Sequence, residues 1–142
     1  MAHILIVDDD ADIRMSMRMM LEDIAGHTVT EAVDGASGLE LLRASTEPLV
    51  VLLDLLMPGM DGIGLLQAVA ADQHLATRHA YVVVTVSRRA TSGDLPENLG
   101  VALQVVPKPF DMDELLDTVA QADQRLHTHA PAQQTPPAAP QA

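Results

Sequence analysis

Leu49-Val50-Val51-Leu52-Leu53-Asp54 (LVVLLD, residues 49–54) is an unbroken apolar run that stops at a carboxylate. So short a run, without polar alternation, reads as a strand buried on both faces. Ile4-Leu5-Ile6-Val7 repeats the pattern and stops at Asp8-Asp9-Asp10. Working outward, His27–Val33 carries Thr28, Val29 and Thr30 and reads as a strand, Tyr81–Val84 is β-branched and ends at Thr85, and Val101–Val106 ends before Pro107-Lys108-Pro109. Helical spacing fills the gaps. Ile13, Met17, Met20, Leu21 and Ile24 share one face, with Gly26 as the stop. Asp34 caps a helix through Leu39, Leu41 and Leu42, Asp61 opens one through Ile63, Leu66 and Val69, and Asp111 caps a last one through Leu115, Leu116 and Val119. Between Arg88 and Gly100, the residues Gly93, Pro96 and Gly100 leave room only for a short helix starting near Asp94 or Leu95. Strands alternating with helices make an α/β fold with a parallel sheet covered on both sides.

Composition narrows the function. With Tyr81 and Phe110 as the only aromatics, the core is aliphatic and methionine-filled. Twenty acidic against 8 basic residues give a net charge of −12. That balance repels nucleic-acid phosphates and anionic lipid, so neither DNA nor membrane is expected as a direct partner. The absence of cysteine removes disulfides, thiolate chemistry and zinc–cysteine sites. No window reaches the roughly 20 apolar residues of a membrane span, and the first apolar run is too short for a signal peptide; the expectation is a soluble, cytoplasmic protein. Residues 127–142 (HTHAPAQQTPPAAPQA) have no charged and no large apolar side chain. The boundaries expected are therefore 1–126 for one domain and 127–142 for a disordered Pro/Ala/Gln-rich tail.

In open parallel sheets, ligands bind beyond the carboxyl ends of the strands. Here the first strand delivers Asp8, Asp9 and Asp10, the third Asp54, the fourth Thr85 and the fifth Lys108, the only lysine in the chain. Neighbouring carboxylates repel by about 4 kcal/mol per pair at 4 Å and an effective dielectric near 20. A divalent cation relieves that repulsion, and hard oxygen donors favour Mg²⁺. A carboxylate beside such an ion can act as a nucleophile toward a phosphoryl group. Asp10 and Asp12 stand where a helix begins, and dipole complementarity accounts for them without a functional role.

Four stretches, ILIVDDD (4–10), LLDLLMPGMDG (52–62), VVVTVS (82–87) and VPKPF (106–110), come in the order and near the spacing of the response-regulator receiver domains, which the chain resembles over roughly residues 2–125. The resemblance implies a doubly wound five-stranded parallel sheet in the order 2-1-3-4-5, here with a short or irregular fourth helix. It implies Asp54 as phosphoacceptor, with Thr85 and Lys108 meeting the phosphoryl group. Mg²⁺ would be held by Asp8, Asp9 and Asp54 and by the backbone carbonyl of Leu56, with Asp9 favoured over Asp8 as a direct ligand.

The implied partners are a histidine kinase or histidine phosphotransfer protein as donor and a downstream protein as target, with weak or phosphorylation-dependent dimerisation as an option. The chain would be a phosphoacceptor that assists its own phosphorylation and dephosphorylation, not an enzyme with a separate substrate. No output domain is expected within these residues, in a stand-alone receiver or in a fragment of a longer protein. Two departures stand out. Val105, three positions before Lys108, is with Thr85 a switch position and stands where the family usually has an aromatic, and Val86 replaces a small residue after Thr85. They keep open a phosphorylation-independent adaptor with this fold. A Mg²⁺-dependent aspartyl phosphatase using the Asp8-x-Asp10 pair is the remaining alternative, although there is no length for a substrate cap.

Overall fold

Each of the five segments read as strands contributes one: β1 (His3–Val7), β2 (Thr28–Ala32), β3 (Val50–Leu53), β4 (Ala80–Thr85) and β5 (Leu103–Pro107). The computed structural model describes residues 2–54, 62–85, 103–107 and 111–134. The strands form one parallel sheet in the order β2-β1-β3-β4-β5, the order the resemblance implies. Val7 lies between Ala32 and Leu53, and Val83 between Leu53 and Val105. Around the sheet lie α1 (Ala11–Arg18), continued by a π-helical turn over Met19–Ile24, then α2 (Gly35–Ala44), α3 (Gly62–Ala70), α4 (Gln73–Arg78) and α5 (Met112–Gln134).

Because successive strand side chains point to opposite faces, each central strand feeds two cores. Leu5, Val7, Val51, Leu53, Tyr81 and Val83 pack against Leu39 and Leu42 of α2, Leu65, Leu66 and Val69 of α3, and Leu75 of α4. Ile4, Ile6, Val50, Leu52, Val82 and Val84 pack against Met17 and Leu21 on one side and Leu115, Val119 and Ala122 of α5 on the other. Right-handed crossovers explain the division. The chain steps from β1 to β2 in one direction, then returns past β1 to β3 and beyond, so α2 and α3 fall on the face opposite α1. The reversal opens a crevice between the carboxyl ends of β1 and β3. Gly38 of α2 is needed beside it, since a Cβ there would stand 2.9 Å from Val7 Cγ2.

Several local expectations hold and some need correction. Asp34 and Asp111 cap their helices as expected, accepting Ser37 at 2.8 Å and Glu114 at 2.7 Å, and Asp10, read above only as complementing the helix dipole, caps α1 by accepting the Asp12 amide at 2.9 Å. Gly26, with φ of 80°, ends the first helical segment as a left-handed residue should. Ile24, however, is exposed rather than on the buried stripe. The wider π turn advances each residue through a smaller angle than an α turn does, which carries Ile24 off the face shared by Met17 and Leu21.

The short α4 was not anticipated; Asp72 caps it, accepting the His74 and Leu75 amides at 3.1 and 3.4 Å. Helix α5 continues through Gln134, so residues 127–134, assigned above to a disordered tail, have helical backbone. His127–Ala130 extend a helix already anchored by Leu115, Val119 and Ala122, and the helical backbone runs on past Pro131, which has no amide to donate to the His127 carbonyl. Asp61 as helix opener and the short helix expected between Arg88 and Gly100 lie outside the described residues.

Candidate functional site

Ladder geometry carries two carboxylates past the last strand residues. The Asp8 amide donates to the Ala32 carbonyl at 3.2 Å, and the Asp54 amide donates to the Val7 carbonyl at 3.0 Å. Asp8 and Asp54 are therefore held by backbone bonds to neighbouring strands, at the mouth of the crevice where the winding reverses. Both are nearly buried, 1% and 8% exposed, while Asp9 is exposed. One ligand oxygen from each of Asp8, Asp9 and Asp54 lies within 4.8 Å of the others. The sequence expectation that these three acids converge is met.

The rest of the acid run has another task. Asp10 is spent on the α1 cap, and its own amide donates to Asp8 Oδ1 at 2.9 Å. That bond orients the Asp8 carboxylate. Three hard oxygen donors, two of them withdrawn from solvent, fit a small divalent cation such as Mg²⁺, which takes one or two carboxylates and keeps part of its water shell. Thr85 ends β4 with its backbone beside Pro107, and Val105 sits in β5 beside Val83; the side chains of both lie outside the described residues. Leu56, Val86 and Lys108 also lie outside them.

Sequence reading passed over Arg14 and Glu31. Arg14 Nη1 donates to the Asp8 carbonyl at 2.7 Å, and its Nε donates to Glu31 Oε1 at 2.9 Å. The other Glu31 oxygen pairs with Arg18 Nη1 at 2.9 Å, and Arg18 Nη2 donates to the Val29 carbonyl at 2.7 Å. Arg14 falls one helical turn after Asp10, but that spacing alone does not tell where its side chain reaches.

Residues 4–120 match the family described as response regulator receiver domain. Over 119 residues the chain is 34% identical to protein PilH of Pseudomonas aeruginosa, a match spanning 84% of this chain and 95% of PilH. It is 38% identical over 110 residues to CseB, a transcriptional regulatory protein of Streptomyces avermitilis, which covers 77% of this chain but 43% of that regulator. The chain thus spans less than half the length of some curated relatives that it matches. Among solved structures, a CheY-like response regulator receiver domain protein from Methanospirillum hungatei aligns with a TM-score of 0.75 at 30% identity, covering 89% of this chain and 98% of that one. No helix among the described residues is long and apolar enough to cross a membrane. A sheet wound in this order, tipped with converging acids and matched to the family along most of its length, makes this chain a member of the response regulator receiver domains of two-component systems.

Proposed function

We propose that the chain is a phosphorylation switch in which Asp54 accepts a phosphoryl group from the phosphohistidine of a partner histidine kinase or phosphotransfer protein. An Asp54 carboxylate oxygen forms the new bond to phosphorus as the bond from phosphorus to the donor imidazole nitrogen breaks. Bound at Asp8, Asp9, Asp54 and the Leu56 carbonyl, Mg²⁺ would neutralise charge on the phosphoryl oxygens. The Lys108 ammonium would pair with one of those oxygens and the Thr85 hydroxyl would donate to another. Their engagement biases the loops after β4 and β5 toward a second conformation that a downstream protein recognises. Val105 makes this a switch without the family's usual aromatic at that position.

The convergence of Asp8, Asp9 and Asp54 to within 4.8 Å at the winding reversal carries this reading. It also weighs against a phosphatase with Asp8 as nucleophile, because Asp8 is 1% exposed and one of its oxygens accepts the Asp10 amide. The test is incubation with acetyl phosphate and Mg²⁺, followed by intact-mass measurement. One added phosphoryl group is expected on the wild-type chain and none on Asp54→Asn or in EDTA. Equal labelling of Asp54→Asn would overturn the assignment.

A further inference from the structure

Among the described residues, Arg14 reaches the acid run, but not as a counter-ion would. Arg14 is mostly buried, 14% exposed at its side chain, and its guanidinium meets the backbone carbonyl of Asp8 at 2.7 Å while Nε is committed to Glu31 at 2.9 Å. Glu31, on β2, is in turn fixed by Arg18 of α1 at 2.9 Å. A planar fork with two fixed directions can span such a pair of acceptors, whereas a point-charge ammonium cannot hold both in the same geometry. The carbonyl it grips belongs to the peptide joining Asp8 to Asp9. Rotation of that peptide would swing the Asp9 carboxylate, and repulsion among the three acids drives such a rotation whenever no cation is bound.

We propose that Arg14, locked in place by Glu31, is the positioning residue that holds the Asp8–Asp9 peptide so that both carboxylates stay aimed at the cation site. The inference rests on the reading that Asp8, Asp9 and Asp54 bind Mg²⁺. It makes a prediction of sign. By charge alone, Arg14 repels a divalent ion, so removing it would tighten binding. As a positioner, its loss weakens binding.

The experiment is calorimetric titration of Mg²⁺ into the apo chain, well below the melting temperature of each variant. For Arg14→Met, Kd is expected to rise on the order of tenfold, in the range seen when groups that orient metal ligands are removed. Arg14→Lys should fail to restore it. Glu31→Gln keeps an acceptor for Nε and should stay nearer wild type than Glu31→Ala. Labelling by acetyl phosphate should show the same division, with a raised Mg²⁺ half-saturation and a near-normal rate once Mg²⁺ saturates. Unchanged or tighter binding in Arg14→Met, with normal binding by wild type, would overturn the inference alone. Failure of wild type to bind Mg²⁺, or undiminished binding by Asp9→Asn and Asp54→Asn, would instead overturn the metal-site reading beneath it.

Discussion

Replacing Asp54 with asparagine should make the cation-free chain more stable, and the size of the gain follows from the site. The oxygens of Asp54 and Asp8 lie within 4.8 Å, on residues 8% and 1% exposed. At that separation and an effective dielectric near 20, two carboxylates repel by about 3.5 kcal/mol. The Asp9 contribution is smaller, since that residue is exposed and salt screens it. Asparagine has nearly the same shape but accepts weaker hydrogen bonds than a charged carboxylate, and Asp54 has partners beyond the two acids, so the loss of charge there returns part of the gain. The expected net effect is about 1–3 kcal/mol, or a melting temperature higher by roughly 3–10 °C for a domain of this size. Thermal unfolding followed by circular dichroism in EDTA measures it. Adding Mg²⁺ at 100 times its Kd should stabilise the wild type by about 2.7 kcal/mol and Asp54→Asn by much less, so the order of melting temperatures closes up or reverses. If Asp54→Asn melts at or below the wild type in EDTA, the three acids are not under mutual strain and the electrostatic case for a cation fails.

Two further predictions concern the scaffold. His79 is buried, its Nδ1 accepts the Leu49 amide at 3.0 Å, and burial, assisted by the Arg78 charge, lowers its pKa to about 4. Above pH ~6.5 the ring is neutral folded or unfolded and costs nothing; as pH falls toward 4, only the unfolded chain takes up the proton, so stability drops by up to about 1.4 kcal/mol per pH unit and then levels off. Urea midpoints at pH 7, 6 and 5 should show this slope flattened in His79→Asn, and an identical slope in both proteins would refute it. Gly38→Ala should destabilise by about 1–3 kcal/mol through overpacking against Val7, although alanine is the better helix former by about 1 kcal/mol. Combining it with Val7→Ala should cost less than the sum of the two single changes, because the crowding is between those two side chains; strict additivity would argue against it.

The sheet was readable in advance because its signal is local and periodic. Ile4–Val7 and Val50–Leu53 are apolar at every position, and runs that short suit a strand covered on both faces rather than a buried helix. The helix caps at Asp34 and Asp111 were readable for a similar reason, each side chain bonding an amide three residues away. What escaped depends on partners distant in sequence or on backbone adjustments with no residue signature. The π turn at Met19–Ile24 lies inside an unbroken helical pattern, and the helix at Gln73–Arg78 is too short for a period to show.

The site divides along the same line. Asp8, Asp9 and Asp54 could be grouped from sequence because strand ends of a parallel sheet share one edge, so the topology supplies the proximity. Arg14 and Glu31 could not, since nothing in the spacing of α1 and β2 tells which cation will reach back to the Asp8 carbonyl. Yet the chemistry requires some such group. Three acids brought within 4.8 Å repel one another when no cation lies between them, and the Asp8–Asp9 peptide lies beyond the end of the ladder. A buried cation aimed at the carboxylates would hold them while competing with the metal. Aimed at the carbonyl behind them, and with its charge matched by Glu31, the guanidinium would restrain the backbone without competing with a cation for the carboxylate oxygens.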